Sequence, residues 1–153
     1  VDNIYEYYVP DTSLPKTEAK YDVEIIESGF EKFKSEPLAK EVFDLESHGP
    51  IALVLCAKKN GKTIAVAGAY AENENLWQIN LAVAEEERFG FAAENVLGLI
   101  KDAVLEKGKI PYFGGPFCKI SPNTGSNAGF FPCWSQIVSR PRDDEFLNLH
   151  GTR

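Results

Sequence analysis

The segment from Leu76 to Pro111 constrains the fold more than any other part of this 153-residue chain. It opens with LWQINLAV, an apolar and β-branched run that is typical of a buried strand, and a charged turn follows. Apolar residues then recur at helical spacing as far as Val104, before Gly108 and a second short apolar run. A strand, a helix and a strand in this order predict a βαβ unit, with parallel strands if the crossover is right-handed.

The turn before the helix combines the features of an anion site. Arg88 supplies a guanidinium, and Gly90, Ala92 and Ala93 are small enough for a ligand to approach the backbone. The first amides of an α-helix have no partner within the helix and lie at the positive end of its dipole. We therefore expect the pyrophosphate of a cofactor to bind here. The alternative is an ordinary helix start with a solvated arginine.

The remaining elements predict the rest of the sheet. Two apolar runs, Ile51 to Cys56 and Thr63 to Tyr70, flank Asn60-Gly61, which is the strongest short hairpin signal. Leu76 to Val83 returns as a third antiparallel strand. Further strands are expected at 4–9, 21–25, 110–113 and 130–138, and short helical turns after residues 28 and 37. The order predicts a mixed α/β fold of the α+β type. Its central sheet is mostly antiparallel, has about six to seven strands and is flanked by helices.

Size and charge limit the classes of function. A chain with 44% hydrophobic and 25% charged residues is ordinary for one soluble domain. Its net charge of −7 argues against nucleic acid as a partner, because duplex binding needs a concentrated basic face. The charge is compatible with a cationic amine acceptor, although solubility alone also explains it. Since no apolar window is long enough to span a bilayer and the first residues resemble no signal peptide, we expect no membrane partner and a cytoplasmic location.

Cysteine and histidine positions indicate neither a metal site nor a disulfide framework. Cys56, Cys118 and Cys133 are widely separated and form no CxxC pair, and His48 and His150 fall in expected loops. We therefore expect no bound metal. Cys56 and Cys133 lie in apolar strands and are expected to be small core residues. Cys118 could be a nucleophile, but nothing beside it suggests a lowered pKa.

Aromatic residues are expected to pack mainly in the core. Phe130, Phe131 and Trp134 form a closely spaced set in the last strand and are assigned to the core. Trp77 and Gln78 could instead face an acceptor cleft, although a tryptophan in a central strand is more often a core residue.

Taken together, these elements resemble the GNAT superfamily of N-acetyltransferases. The meander IALVLCAKKNGKTIAVAGAY, the strand LWQINLAV, the turn ERFGFAAE, the long helix, KGKIPYF and GFFPCW follow the order of that family. The likeness is closest to bacterial members with WQI, GK-I/V-PY and GF-x-P-x-W signatures, and it is good over residues 50–138. It implies one GNAT-like domain over residues 1–153. Residues 1–50 would supply the acceptor side, and residues 51–138 would form the core that binds acetyl-CoA.

The resemblance also implies which residues hold acetyl-CoA, the cosubstrate. In the family, the pattern Gln/Arg-x-x-Gly-x-Gly/Ala binds the pyrophosphate through backbone amides, and the end of the preceding strand binds the pantetheine arm. That strand is usually splayed from the next one, which leaves a slot. A later Asn-x-x-Ser motif also contacts the cofactor, and CKIS stands in its place here. The residues implied are Leu81, Ala82, Val83, Arg88, Phe89, Gly90, Phe91, Ala92, Ala93, Lys119 and Ser121.

Two registers of the pyrophosphate pattern fit the sequence. Counting from Trp77 without gaps puts Arg88 at the first position and Phe91 where glycine is expected. A shift by one residue matches Gly90 but puts Glu87 first. We prefer the first register because it also aligns the glycine and the proline that follow the helix. The Phe91 side chain would then either crowd the phosphate or point away from it.

The catalytic residues are left unassigned. A tyrosine that often acts as general acid in the family is replaced by Gly125, and one of Glu85 to Glu87 could be a general base or only part of a charged turn. The resemblance implies direct transfer of acetyl to a primary amine of a small molecule or peptide, in a ternary complex. The alternatives are a non-catalytic GNAT-fold module that binds CoA or another ligand, and a structural domain without a cofactor. The oligomeric state is left open, with a homodimer as one alternative.

Overall fold

A seven-stranded sheet organises the computed structural model, which describes residues 2–33, 35–43, 49–88, 90–115 and 118–139. The strands are β1 (Asp2–Pro10), β2 (Asp22–Ile26), β3 (Ile51–Lys59), β4 (Lys62–Ala71), β5 (Leu76–Val83), β6 (Ile110–Gly114) and β7 (Phe130–Ser139). The helices are α1 (Pro37–Phe43), α2 (Ala92–Glu106) and α3 (Pro122–Asn127), and short 3-10 helices cover Phe30–Phe33 and Glu85–Glu87. Across the sheet the order is β2-β3-β4-β5-β6-β1-β7, so β2 and β7 form its edges.

The mixed, mostly antiparallel sheet predicted from the sequence is confirmed. Among the described strands, β5 and β6 are the parallel neighbours, with Leu76 opposite Ile110, and the other neighbouring pairs are antiparallel. Because α2 lies between β5 and β6 in the chain, the predicted βαβ unit is present. Asn60 and Gly61 both have positive φ, 53° and 77°, as a tight turn between β3 and β4 requires.

Different helices cover the two faces of the sheet. The face under α2 carries the larger apolar cluster, which includes Leu53, Leu81, Val96, Ile100 and Phe113. The face under α1 carries a smaller cluster, which includes Phe33, Val42, Val54, Tyr70 and Ala82. Successive side chains of a strand point to opposite faces. As a result, β5 directs Leu81 to the α2 face and Ala82 to the α1 face.

A loop between β1 and β2, residues 11–20, is bound along α2 and is named the strap. The buried side chain of Asn95 accepts a hydrogen bond from the Lys20 amide at 3.0 Å and donates to a strap carbonyl at 2.7 Å. The Thr17 amide donates to the Asp102 carboxylate at 2.7 Å. These side chains thus provide hydrogen-bond partners for strap amides and a carbonyl that lie outside the sheet, and the bonds hold the strap against the helix.

The aromatic and cysteine residues of β7 correct two expectations. Phe131 and Trp134 are 47% and 39% exposed, and Cys133 is exposed as well, although all three were expected in the core. The reason is that β7 is an edge strand, and its residues 131–137 are exposed. Phe130 and Cys56, by contrast, are buried as expected.

The contact between the strap and α2 depends on Gly98. A Cβ atom at this position would lie 2.4 Å from Thr17 Oγ1 and 3.2 Å from Thr17 Cβ. We expect Gly98→Ala to lower the free energy of unfolding by about 1–3 kcal/mol through overpacking. The helix propensity of alanine, worth at most about 1 kcal/mol, offsets only part of this loss. Urea denaturation measures the change.

The matched test places the same substitution in a Thr17→Ala background. There the two nearest atoms, Oγ1 and Cγ2, are removed and Thr17 Cβ remains at 3.2 Å, so Gly98→Ala should destabilise much less than in the unmodified chain. Equal destabilisation in both backgrounds would contradict the assigned contact, because residues that touch should not behave additively.

Candidate functional site

Strands β5 and β6 part partway along β5 and leave an opening in the sheet. Their backbone pairing ends at Gln78, which lies opposite Tyr112. Beyond this point the end of β6 pairs with β1, whereas β5 stays paired with β4 as far as Val83. The opening between residues 79–83 of β5 and the end of β6 is named the fork. Its edge of β5 has backbone groups that the β5–β6 ladder does not use.

A buried glutamine bridges the base of the fork. Gln78 Nε2 donates a hydrogen bond to the Gly114 carbonyl at 3.3 Å, and the Gln78 side chain is nearly inaccessible. Gly114 has φ 147°, and a Cβ atom there would lie 2.4 Å from the Glu6 carbonyl oxygen. Glycine therefore lets β6 approach β1 closely while Gln78 ties it to β5. Trp77, the other residue considered for an acceptor cleft, packs against the core of the α2 face.

A cavity of about 510 Å³ runs along the fork to the start of α2 and is named the fork cavity. Most residues that the resemblance implied lie in its lining, namely Leu81, Ala82, Val83, Arg88, Gly90, Ala93, Lys119 and Ser121. Ala92 is fully buried beneath the helix start, and Phe91 lines a neighbouring cleft instead. Phe89 lies outside the described residues. The structure thus brings two distant segments together, and their binding of a cofactor stays a prediction.

Among the described residues that line the fork cavity, Arg88 is the cation without an ion pair. Lys119 Nζ lies 3.9 Å from the Glu41 carboxylate, and Asn127 Nδ2 donates to Glu94 at 2.7 Å. Arg88 is exposed and forms no ion pair with any residue that the structure describes. In the chain, Arg88 comes shortly before the start of α2, and the first amides of this helix have no partner within the helix.

The acidic residues of the turn lie outside the lining of this cavity. Glu87 accepts a hydrogen bond from Lys59 at 3.1 Å, and Glu86 pairs with Lys62 at the end of the β3–β4 hairpin. The Lys62 ammonium lowers the pKa of the Glu86 carboxyl, which makes it a weaker base. Since Glu85, Glu86 and Glu87 are all outside the lining of the fork cavity, the structure gives no support for a general base among them.

A short helix that the sequence analysis missed closes one side of the fork cavity. α3 begins after Ser121, whose Oγ accepts a hydrogen bond from the Thr124 amide at 3.2 Å, and Pro122 occupies its first turn. A serine cap followed by proline is a known helix-start signal that could have revealed it. The helix adds Asn123, Thr124 and Asn127 to the lining, and the hydroxyl of Ser121 serves as its cap.

The packing around Gly125 excludes a tyrosine at the position of the family's usual acid. A Cβ atom on Gly125 would lie 2.4 Å from the ring of Phe113, which is fully buried. Tyr7 and Tyr8 pair with the end of β6, but neither lines the fork cavity. Burial raises the pKa of both phenols, with added contributions from nearby carboxylates, so both stay protonated at neutral pH.

The Cys118 thiol is not an activated nucleophile. Burial raises the pKa of Cys118, and the Ile120 amide donates to its sulfur at 3.4 Å. A thiol with a raised pKa holds little thiolate at neutral pH and reacts slowly. Cys118 also lies outside the lining of the fork cavity.

Asn80 is a polar residue in the fork that the sequence analysis did not identify. It is 6% exposed, follows the last β5–β6 pair and, by strand alternation, shares the α1 face with Gln78 and Ala82. No residue in the described part of the chain hydrogen-bonds its side chain. Buried amides normally have partners, so Asn80 is suited to bind a polar group that enters the fork. Its signal was an amide between two aliphatic residues, Ile79 and Leu81, in a largely apolar strand.

A second cavity of about 620 Å³ lies on the α1 face. Its lining is largely apolar and comes from the first 3-10 helix, α1 and the starts and ends of β3 and β4: Phe30, Glu31, Lys40, Phe43, Gly49, Pro50, Ile51 and Tyr70. Most of these residues belong to the part of the chain that the resemblance assigned to the acceptor.

The described residues contain neither a candidate metal site nor a helix suited to cross a membrane. There, no group of three or more histidine, cysteine, aspartate or glutamate side chains is arranged to hold a metal ion. His48 and His150 lie outside those residues, so the absence of a metal stays an expectation. None of the helices described has the length and apolar content needed to cross a bilayer.

Comparison with solved structures supports the resemblance at the level of the fold. A GCN5-related N-acetyltransferase-like protein from Streptococcus suis matches with a TM-score of 0.62 at 15% identity, over 89% of this chain and 61% of its own. A GNAT-family acetyltransferase from Colwellia psychrerythraea matches with a TM-score of 0.62 at 15% identity, over 90% of this chain and 55% of its own. A GCN5-related N-acetyltransferase from Kribbella flavida matches with a TM-score of 0.60 at 12% identity, over 86% of this chain and 56% of its own.

Sequence comparison adds nothing to this similarity. No protein-family model and no curated protein matches the chain. The chain spans less than two thirds of the length of the solved structures that it matches. At these identities the likeness concerns architecture. The chain therefore has the fold of the GNAT-family N-acetyltransferases, with the fork between β5 and β6 at its centre.

Proposed function

We propose that this chain is an N-acetyltransferase that binds acetyl-CoA in the fork cavity and transfers the acetyl group to a primary amine. The observation that carries the proposal is the parting of β5 from β6 beside the start of a long helix. A free strand edge suits an arm with amide groups, because backbone hydrogen bonds can extend the sheet onto the ligand. A helix start suits a pyrophosphate.

The residues of the fork cavity are suited to acetyl-CoA in their chemistry. The backbone of Leu81 to Val83 would hydrogen-bond the pantetheine arm, and Arg88 with the amides near Ala93 would hold the pyrophosphate. Phe91 does not enter the fork cavity, so its ring does not crowd that site. Acetyl-CoA would supply an activated thioester at the fork.

The acceptor would bind on the α1 face. The lining of the fork cavity includes Glu41 of α1 as well as Arg88 near α2, so the fork cavity is open to elements on both sides of the sheet. Ala82 and Asn80 point to the α1 face, where the larger apolar cavity also lies. An amine that enters from this face would meet the thioester at the fork.

Transfer would then be direct. The neutral amine attacks the thioester carbonyl, the carbon–nitrogen bond forms, the carbon–sulfur bond breaks, and water takes the proton from nitrogen. The thiolate that leaves gains a proton from solvent. A β5 amide at the fork would stabilise the oxyanion, and positioning of the reactants can supply on the order of 7 to 11 kcal/mol. No side-chain acid is required, in keeping with the packing of Gly125.

The second candidate is a GNAT-fold module that binds CoA or another ligand without turnover. The specific observation in its favour is the absence of any tyrosine from the lining of the fork cavity, among the residues described. Calorimetric titration with acetyl-CoA separates both candidates from a domain without a cofactor. No heat at millimolar acetyl-CoA would remove both.

Arg88 gives the first test of the binding site. Arg88→Glu should weaken acetyl-CoA binding at least about ten-fold, or about 1.4 kcal/mol, because it replaces a cation with an anion beside the pyrophosphate. Isothermal titration calorimetry measures the affinity. Lys109→Glu, after the end of α2, makes the same charge change and should bind as the unmodified chain does. An unchanged affinity for Arg88→Glu would rule out the assigned register.

A panel of amines tests the chemistry. Release of CoA with at least one class among polyamines, amino acids and peptide termini is expected, and Cys118→Ser should retain that activity because the thiol plays no part. Intact mass after incubation with acetyl-CoA alone should show no acetylated protein. An acetyl group on Cys118 would contradict direct transfer. Absence of CoA release with every amine of the panel would favour the GNAT-fold module that binds its ligand without turnover.

A further inference from the structure

A cleft of about 210 Å³ adjoins the fork cavity and has a different chemistry. It lies between the strap, α2 and the end of α3, and it is named the strap cleft. Glu94 and Asn127 line both spaces, so the strap cleft and the fork cavity share a border at the start of α2. A ligand bound in the fork cavity would reach the strap cleft by passing over the Glu94–Asn127 pair, whose side chains are hydrogen-bonded at 2.7 Å.

The strap cleft presents two large apolar side chains to solvent. Phe91 and Leu14 are each 49% exposed, and both line the cleft. Pro15 lies beside Leu14 in the strap and completes the apolar wall. Phe91 is also the residue that caps α2, directly before the amides assigned to the pyrophosphate. An exposed aromatic ring at the mouth of a cavity is a surface on which a flat ligand can stack.

The strap cleft also contains a buried ammonium. Lys101 is 3% exposed, and its Nζ donates a hydrogen bond to the Ala128 carbonyl at 2.9 Å. An ammonium has three donors, and this is the hydrogen bond that the described residues give it. A buried donor with remaining capacity favours a ligand that carries acceptor atoms over a simple alkyl group.

We propose that the strap cleft binds the adenine ring of acetyl-CoA, stacked on Phe91. The inference rests on the proposed function, because the adenosine is covalently joined to the pyrophosphate at the start of α2. The strap cleft, at about 210 Å³, is much smaller than the fork cavity and suits one ring system rather than the whole cofactor.

The polar groups of the strap cleft complement adenine. Lys101 can donate to a ring nitrogen, and the Glu94 carboxylate, which accepts one hydrogen bond from Asn127, can accept another from the exocyclic amine. The base thus meets a donor and an acceptor in addition to the aromatic face. This arrangement explains why a phenylalanine stands where the resemblance led us to expect glycine.

The test compares two ligands on one variant by calorimetry. Phe91→Ala should weaken acetyl-CoA about ten-fold, because stacking of a base on an aromatic side chain is worth about 1–3 kcal/mol. The same variant should bind acetyl-phosphopantetheine, which lacks the adenosine, as the unmodified chain does. Phe91→Trp should retain the affinity for acetyl-CoA.

Ile110→Ala is the matched control. Ile110 is 45% exposed and follows the far end of α2, a helix of 15 residues and about 22 Å in length. This variant should bind both ligands normally. Urea denaturation of each variant confirms that it is folded.

Each result has a distinct meaning. Unchanged acetyl-CoA affinity in Phe91→Ala would overturn the adenine site and leave the proposed function standing. Equal weakening of both ligands would also overturn it, since Phe91 would then act on the pyrophosphate end. If the unmodified chain binds neither ligand, the proposed function fails and the adenine site fails with it.

Discussion

The site depends on how β6 divides its pairing between β5 and β1. The start of β6 continues the parallel ladder with β5, but its end pairs with β1, and Gly114 permits this approach because it has no Cβ. β5 continues as far as Val83 with its other edge paired to β4. The result is a strand with one free edge inside a sheet. The opening begins after Gln78, whose side chain donates a hydrogen bond to the Gly114 carbonyl.

This opening joins parts of the chain that are otherwise separate. The start of α2, the segment around Lys119 and Glu41 of α1 all border the same fork cavity. An activated thioester held there would be accessible from the opposite face of the sheet, which is the geometry that direct transfer requires. Among the residues that the structure describes, neither a tyrosine nor Cys118 lines the fork cavity. The proposed reaction therefore relies on positioning and on backbone amides.

Local patterns explain which parts of this arrangement were predictable. The hairpin at Asn60-Gly61 and the strand, helix and strand of residues 76–111 follow from short-range signals, and both formed as expected. The exposure of Trp134 did not follow, because burial in β7 depends on the order of strands across the sheet. The direction of the Phe91 side chain and the role of Asn80 depend in the same way on contacts between distant segments. The cap at Ser121 was a readable signal that was missed.

The most direct test of the fork as a binding site is a titration of the ¹⁵N-labelled protein with coenzyme A, followed by NMR. Backbone amides at the free edge of β5 and at the start of α2 should shift together and saturate at one concentration. The chemical shifts of the amides of β2 and of the β3–β4 turn should not change. Shifts confined to β7 and its neighbours, or no shifts at millimolar coenzyme A, would contradict the fork as the site where the chain holds its cosubstrate.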